Sequence, residues 1–420
     1  MHIKTVLDNR LRLVTDSMPH TRSVSVCFFT GIGSRYEKEE QAGISHFIEH
    51  LLFKGTEKRA TSRDISVAVE GVGGMLNGGT DKESTLYWVR VPRPHFALAL
   101  DVLTDMLLHS VFDPQEIEKE RHVIVEEINM TRDVPAQQVH LLIDELLWPD
   151  HPLGTDIAGT GESVAGINRE MMLAYMASGY LPENTVVSVA GDISNEEVLE
   201  AVGNATSGWN NRSPVPGFVP YTAGRNPRLL VEQRDTEQAQ LCLALPGLPL
   251  RHPDRFTLDI LNVILGEGMS SRLFAEIRDR LGLSYSIHSF VDHLLDTGAI
   301  TVSAGVEPGN LPVAVEAIVK ELALLREPVP QEEITKAKEL AKGRLLLRME
   351  DTRSVAGWMG IQEVLSGEII TVDQVIDIID AITAEQLQAT AEKLITSEGL
   401  RLAVVGPVQD EKTLESLLTF

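Results

Sequence analysis

The feature that most constrains the fold of this chain is a sequence pattern that recurs about 215 residues further along. Three short segments repeat in the same order; they are the apolar runs around Cys27 and Cys242, the tripeptide Pro-Gln-Glu at 114–116 and at 330–332, and the apolar runs that end at Gly191 and Gly406. Each match alone is weak, but three at offsets of 215 or 216 residues indicate a duplicated unit of roughly 200 residues. A unit of that length is a domain rather than a solenoid repeat.

The order of apolar patterns within one copy predicts an α+β fold. Runs of strand type and segments with helical periodicity alternate along the first copy; we predict strands at 22–29, 84–91 and 185–191 and helices at 41–54, 61–70, 95–132 and 163–178. These elements do not follow strict βαβ alternation, so each domain is expected to be a largely antiparallel sheet with packed helices. A segment rich in Pro and Gly at about 209–227 predicts a linker between domains at 1–208 and 228–420.

The charge of the chain disfavours two classes of partner. Its 420 residues carry 37 Lys and Arg against 61 Asp and Glu, a net charge of −24. Such a polyanion repels phosphate backbones and anionic membrane surfaces, so neither nucleic acid nor membrane is an expected partner. The sequence has no signal-peptide core and no run of about 18 apolar residues, and its two cysteines lie in apolar runs. We therefore expect a soluble, cytoplasmic protein with two reduced core thiols.

One predicted helix, from Gly43 to Gly55, carries residues suited to binding a metal. His46 and His50 are four residues apart, so both imidazoles lie on one face and can reach one ion. Glu49 projects from the neighbouring edge of that face, where a carboxylate can act on a bound water. The alternative is the polar edge of an amphipathic helix whose other face is apolar.

A catalytic zinc requires a third protein ligand and an open fourth position. In the helical segment that begins at Pro114, Glu120 and Glu127 are seven residues apart and share a face, whereas Glu126 points elsewhere. One of the two can bind the ion while the other orients a ligand. The alternative is a solvated acidic face.

The duplication predicts one metal site per chain. At an offset of 215 residues, His46 and His50 correspond to Leu261 and Leu265. Glu127 corresponds to a glycine at an offset of 216 residues. The second copy therefore keeps the architecture without any of the ligands.

These segments resemble a known family. Gly-Ile-Ser-His-Phe-Ile-Glu-His-Leu-Leu-Phe-Lys-Gly-Thr at 43–56 is similar to the signature helix of the pitrilysin-type inverzincin peptidases. That family includes pitrilysin, insulin-degrading enzyme and the β-subunit of mitochondrial processing peptidase. The segment from Glu120 to Glu127 is similar to the family's Glu-x6-Glu helix, which implies that Glu127 is the third zinc ligand. Glu120 is then left to orient a ligand. The resemblance extends over the whole chain.

Two further segments resemble parts of that family's site. Gly-Gly-Met-Leu-Asn-Gly-Gly-Thr at 73–80 is similar to an edge segment that contacts substrate; it implies peptide contacts at Asn77, Gly78, Gly79 and Thr80. The family usually has Ala where this chain has Gly78, and glycine loosens an edge strand and its register. Asn77 can instead cap a turn.

The resemblance also implies contributions from the second half of the chain. Arg278 and Tyr285 resemble the Arg and Tyr pair that completes the family's site, with a surface arginine and a core aromatic as the alternatives. The implied mechanism places zinc on His46, His50 and Glu127 and makes Glu49 the general base for attack on a peptide carbonyl. Arg278 and Tyr285 would donate hydrogen bonds to the carbonyl or developing oxyanion.

Assembly follows from the number of domains. Family members enclose substrate between four such domains and this chain has two, so the resemblance implies a dimer. Both kinds of half are present here, which favours a homodimer with a composite active site in which Arg278 and Tyr285 reach the partner's zinc.

Three functions remain open from the sequence. The first is a zinc endopeptidase that acts on peptides or unfolded segments, including precursor processing. The second is a non-catalytic core or assembly subunit, which has no need for an open metal site. The third is a metal-dependent hydrolase of non-peptide esters, which the edge segment at Asn77 disfavours.

Overall fold

The computed structural model describes residues 2–224 and 227–420. The chain forms two compact units, each built from segments of both sequence halves. The first unit contains the residues up to Ile128, Asp156–Val219 and Leu347–Ile369. The second contains Asn129–Thr155, Pro220–Leu346 and the residues from Ile370 onward.

The first unit is built on a six-stranded sheet. Its strands are β1 (Ile3–Val6), β2 (Arg12–Ser17), β3 (Ser23–Thr30), β4 (Met75–Thr80), β5 (Thr85–Pro92) and β6 (Thr185–Gly191). They are ordered β1-β2-β6-β3-β5-β4, with β2 and β6 parallel and the other neighbours antiparallel. β4 therefore lies at one edge of this sheet.

The second unit is built on a five-stranded sheet. Its strands are β7 (Leu229–Gln233), β8 (Ala239–Pro246), β9 (Ser284–His293), β10 (Gly298–Val306) and β11 (Arg401–Gly406). The order β7-β11-β8-β10-β9 repeats that of the first sheet without β1, and again the pair β7–β11 is parallel. The repeated topology confirms the predicted α+β fold of two duplicated, largely antiparallel sheets.

Fifteen α-helices accompany the sheets in the described part of the chain. They are α1 (Ile44–Leu52), α2 (Ser62–Glu70), α3 (Phe96–His109), α4 (Pro114–Asp133), α5 (Pro135–Leu147), α6 (Gly161–Gly166), α7 (Arg169–Gly179), α8 (Asn195–Ala205), α9 (Arg255–Gly266), α10 (Leu311–Leu324), α11 (Gln331–Arg348), α12 (Thr352–Ser366), α13 (Val372–Ala381), α14 (Ala384–Leu394) and α15 (Glu411–Ser416). A π-helix spans Phe274–Arg280. None of the described helices is both long enough and apolar enough to cross a bilayer.

The two copies exchange one helix. In the first unit, Val355 and Met359 of α12 pack in a buried cluster with Cys27 and Phe29 of β3. In the second unit, α5 packs in the same way against β8 and β11; its cluster contains Val139, Leu142, Ile143, Cys242 and Val405. α5 and α12 occupy equivalent places in the duplicated order, so each helix covers the sheet of the other copy. The domain limits 1–208 and 228–420 remain a prediction about the duplicated segments.

The helix predicted at Gly43–Gly55 ends three residues earlier than expected. α1 ends at Leu52, and Phe53 is its C-cap, with the backbone N–H bonded to the carbonyl of His50. Gly55 has φ +148° and belongs to the turn that follows, where a Cβ would lie 2.5 Å from the carbonyl oxygen of Ala60. The glycine is therefore required by the close approach of this turn rather than by the helix end.

Both cysteines are free and buried, as the sequence predicted. Cys27 and Cys242 occupy equivalent positions in β3 and β8, under the exchanged helices. Burial raises the pKa of each thiol to about 12, so neither is a reactive thiolate.

A histidine in the second unit gives the protein a predicted pH dependence. His293 contacts two acceptors, the Leu248 carbonyl at 2.6 Å and Asp259 Oδ1 at 3.2 Å. Burial lowers the pKa of His293, but the hydrogen bonds to Asp259 and Leu248 outweigh burial and raise it overall. Protonated His293 therefore stabilises the fold fully below the unfolded pKa of about 6.5, and this contribution is lost as the pH rises through the folded pKa.

We expect His293→Gln to flatten the fall in unfolding free energy as the pH rises above about 6. Urea unfolding at several pH values measures this, with His288→Gln, an exposed histidine on the same strand, as the control. An unchanged pH slope in His293→Gln would show that this group is not the source of the dependence.

Candidate metal centre

α1 is held in place by core packing along one face and by hydrogen bonds at its N-terminal end. Its apolar stripe is buried in the core of the first unit; the residues are Ile44, Phe47, Ile48, Leu51 and Leu52. The Glu37 carboxylate accepts hydrogen bonds from the backbone N–H groups of Gly43 at 2.7 Å and Ser45 at 2.8 Å. An acidic side chain at this end satisfies free N–H groups and, when ionised, interacts favourably with the positive end of the helix dipole; burial raises the pKa of Glu37 to about 7. The opposite face of α1 is thereby held in a fixed position.

That face brings together three potential ligands. The Nε2 atoms of His46 and His50 are 3.1 Å apart. Glu127, on α4, places Oε2 at 3.8 Å from each of these nitrogens. Their ligand atoms lie within 4.8 Å of one another, and within the described residues no other group of three His, Cys, Asp or Glu does so. Leu261 and Leu265, the counterparts of the histidines, are buried apolar residues.

The donor set fits a zinc ion. Zinc–nitrogen bonds of about 2.0–2.1 Å at tetrahedral angles require two nitrogens a little over 3 Å apart. His50 Nδ1 lies 2.8 Å from Glu120 Oε1, an acceptor that keeps the proton on Nδ1 and leaves the Nε2 lone pair facing His46. Two imidazole nitrogens and one carboxylate leave a fourth position for water or substrate, as in catalytic zinc sites.

The surroundings shift the pKa values of the two histidines in opposite directions. Burial and the neighbouring His50 lower the pKa of His46 to about 4, so its ring is neutral near pH 7. Burial also lowers the pKa of His50, but the hydrogen bond and charge of Glu120 outweigh it and the pKa is raised overall. Metal binding requires neutral imidazoles, so a rising proton concentration should displace a metal from His50 before it displaces one from His46.

Glu120 is held at both carboxylate oxygens. Oε1 contacts His50 and Oε2 lies 2.5 Å from the Lys54 ammonium. Burial raises the pKa of Glu120, but the hydrogen bonds from His50 and Lys54 more than offset it and lower the pKa overall. Glu120 is thus a buried anion that orients His50, while Glu126 on the same helix is exposed.

Glu49 lies beside the ligands and contacts the edge strand. Its Oε2 accepts a hydrogen bond from Thr80 Oγ1 at 2.7 Å. A Cβ at Gly78 would lie 3.1 Å from Glu49 Oε1 and 3.1 Å from the Phe53 ring, so the glycine leaves room for this carboxylate. Burial raises the pKa of Glu49 above its usual value, which brings it closer to the range useful for a general base.

The edge strand keeps a regular register despite its glycines. β4 pairs with β5 without interruption, from Met75 opposite Arg90 to Thr80 opposite Thr85. Asn77 lies within the strand, and its side chain accepts a bond from the Gly78 N–H rather than capping a turn. Side chains alternate, so that Gly78 and Thr80 lie on the Glu49 side while Asn77 and Gly79 are exposed.

Arg278 and Tyr285 lie together in the second unit. The guanidinium of Arg278 lies 4.7 Å from the centre of the Tyr285 ring and 4.6 Å from that of Phe274. The side chain of Tyr285 is 79% exposed, so it is not the core aromatic of the alternative interpretation. The arginine packs against the two rings, and the tyrosine is largely exposed to solvent.

Two contributors to the centre were missed from the sequence. Lys54 follows His50 at the same four-residue spacing that separates His46 from His50, and that regularity could have identified it. Glu37 gave no such signal, because its contact with the start of α1 depends on the course of the intervening turn.

Fold and site together define a class: a duplicated α+β protein whose first unit carries a His-His-Glu cluster of the type that binds zinc. Comparison with known proteins gives the family. Residues 12–161 match the sequence model of insulinase, peptidase family M16, and residues 166–340 match that of the peptidase M16 inactive domain. The chain belongs to peptidase family M16, which confirms the resemblance to pitrilysin-type peptidases.

Individual relatives match nearly the whole length of the chain. The uncharacterized zinc protease YmxG of Bacillus subtilis is 37% identical over 409 residues, which cover 95% of this chain and 97% of the relative. An uncharacterized zinc protease of Mycobacterium leprae is 36% identical over 98% of this chain and 93% of its own length. The crystal structure of a protease from Helicobacter pylori has the same fold, with a TM-score of 0.89 at 22% identity over 97% of this chain and 99% of that one.

Proposed function

We propose that the protein is a zinc-dependent endopeptidase that hydrolyses peptides or unfolded protein segments in the cytoplasm. The observation that carries this proposal is the convergence of His46 and His50 on α1 with Glu127 on α4. The Glu49 carboxylate lies on α1 with the two histidines. The names of the relatives support zinc and proteolysis, and two buried free thiols suit a reducing compartment.

The residues of the site have separate tasks in this proposal. His46, His50 and Glu127 would hold one zinc ion per chain. When bound, zinc lowers the pKa of a coordinated water and polarises a carbonyl oxygen. Glu49 accepts the proton of the attacking water and can return it to the leaving amine. The Thr80 hydroxyl donates a hydrogen bond to one oxygen of Glu49 and so restricts the rotation of this carboxylate.

The edge strand supplies a peptide-binding element. β4 is bonded to β5 on one side and lies at the end of the strand order, so its other side can accept an extended peptide by strand addition. Thr80 joins this strand to Glu49, which places a bound backbone next to the base. Strand addition requires an extended backbone, so folded proteins should be poor substrates.

Metal removal and substrate folding together test the proposal. We expect zinc-loaded protein to cleave a reduced, alkylated form of a small disulfide protein and not its native form. Chelation should lower the rate by more than about 100-fold, and zinc should restore it. Chain fragments are measured by mass spectrometry.

Several results of this experiment would contradict the proposal. Equal cleavage with and without chelator would remove the metal from the reaction. Hydrolysis of simple esters but of no peptide would favour the ester hydrolase. Zinc binding without any hydrolysis would favour an assembly subunit.

We also propose that Arg278 and Tyr285 complete the active site in a homodimer, each pair acting on the partner's metal centre. The stacked guanidinium and the exposed hydroxyl are suited to donating hydrogen bonds to a carbonyl or oxyanion. A mixture of two inactive variants tests this arrangement. Arg278→Ala and Glu49→Gln chains should each be inactive alone.

If the site is shared between partners, co-refolding equal amounts should restore about a quarter of wild-type activity. Half of the dimers are then mixed, and one of the two sites in each is intact. A site completed within one chain gives no recovery, and full activity of Arg278→Ala alone would remove that residue from the mechanism.

A further inference from the structure

Two helices of the first unit oppose each other through a row of polar side chains. On α1 and just beyond its end, His46, His50 and Lys54 follow at intervals of four residues. On α4, Glu127 faces the first two of these residues, and Glu120 faces the last two. The row therefore continues past the metal ligands and ends in a lysine.

We propose that Lys54 is a positioning residue of the metal centre, whose ammonium fixes the Glu120 carboxylate that in turn orients the His50 ring. This inference rests on the proposed zinc site. Lys54 does not reach the ligands itself, and its effect passes through Glu120.

The contacts around Glu120 give Lys54 this role. Glu120 is only 5% exposed, so water has little access to replace a lost partner. Its Oε1 lies 2.8 Å from His50 Nδ1, and its Oε2 lies 2.5 Å from Lys54 Nζ. With both oxygens held, the carboxylate plane is fixed; with one released, the group can rotate and the His50 ring can turn with it.

The backbone at Lys54 is fixed as well. Its N–H donates to the Leu51 carbonyl at 3.0 Å in the turn that closes α1. Only the side-chain torsions of Lys54 therefore remain to be fixed by the ion pair. A buried charge with one partner removed is also destabilised, which adds to the loss of orientation.

The test is the zinc affinity of Lys54 variants, measured by competition with a chromogenic chelator. Removing an outer partner of a metal ligand costs about 10- to 100-fold in metal affinity, and we expect Lys54→Met to weaken zinc binding by about 10-fold. Lys54→Arg keeps a donor for Glu120 and should stay within about threefold of the wild type. Lys119→Met, which removes an exposed pair with Glu116 on α4, is the matched control and should have no effect.

Two further measurements separate orientation from general stability. The visible spectrum of the Co²⁺-substituted protein reports ligand geometry, and it should change in Lys54→Met but not in Lys54→Arg or Lys119→Met. In the Glu120→Gln background, Lys54→Met should produce little additional loss of zinc affinity, since both changes act on the same contact.

The outcomes separate this inference from the proposed function. Wild-type protein that binds no zinc would overturn both. Tight zinc binding and peptide hydrolysis by the wild type, with unchanged affinity and Co²⁺ spectrum in Lys54→Met, would overturn the role of Lys54 and leave the peptidase intact. Equal losses in Lys54→Met and Lys119→Met, or fully additive losses with Glu120→Gln, would also contradict it.

Discussion

Glu49→Gln is expected to lower peptide hydrolysis by about 1000-fold while zinc still binds at one ion per chain. General base catalysis contributes about 10²- to 10⁴-fold, and the amide keeps the size of the side chain while losing the ability to accept a proton. The amide oxygen can still accept the Thr80 hydrogen bond, so the edge strand should keep its place. Initial rates on a quenched-fluorescence peptide and metal analysis of the same samples measure both quantities.

Glu126→Gln is the matched control for this substitution. Glu126 is an exposed glutamate on α4 that is separate from the ligand cluster, so its variant should keep both wild-type activity and zinc. Glu49→Gln protein with wild-type turnover would remove Glu49 from the mechanism. Loss of zinc together with activity would instead make Glu49 part of the metal-binding set.

Glu127→Ala is expected to lower zinc affinity by at least about 1000-fold, more than the roughly 10- to 100-fold cost of losing an outer partner. The carboxylate lies 3.8 Å from both imidazole nitrogens and is the acidic member of the cluster. Without it, two neutral imidazoles must hold a divalent cation alone, and peptide hydrolysis should fall with zinc occupancy.

A graded series along α4 makes this result specific. Glu120→Gln should show an intermediate loss, since it removes the charge that orients His50, and Glu126→Ala should show none. Far-UV circular dichroism should be the same for Glu127→Ala and Glu126→Ala as for the wild type, because Glu127 is partly exposed and Glu126 is exposed. A zinc affinity in Glu127→Ala equal to that of the wild type would contradict its assignment as a ligand.

Local patterns predicted α1 and three of the six strands of the first sheet, whereas the helical segments predicted at 95–132 and 163–178 each contain two helices. The helix that carries His46 and His50 and the strands at 22–29, 84–91 and 185–191 were expected within a few residues of α1, β3, β5 and β6. These elements have strong periodicity or long apolar runs, which single-sequence reasoning detects best. The repeat also predicted that the two copies share one fold, and the strand orders of the two sheets agree with this.

Local sequence patterns did not predict which distant elements pack together. α5 and α12 have equivalent places in the two copies, yet nothing in either helix indicates that it packs on the sheet of the other copy. The error at Gly55 has a similar origin, because a glycine after a helix was interpreted as a cap when a close contact with Ala60 required it. Local sequence patterns indicate which residue types favour a helix, strand or turn, but they do not indicate which distant segment packs against that element.

The most direct test of the account is a zinc-edge anomalous difference map from crystals of the zinc-loaded protein. We expect one strong peak per chain, bonded to Nε2 of His46, Nε2 of His50 and a carboxylate oxygen of Glu127 at about 2.0–2.2 Å. Glu49 should lie beside the metal without bonding to it. A peak elsewhere, or Glu127 turned away while the two histidines face different directions, would contradict the metal centre on which the proposed peptidase depends.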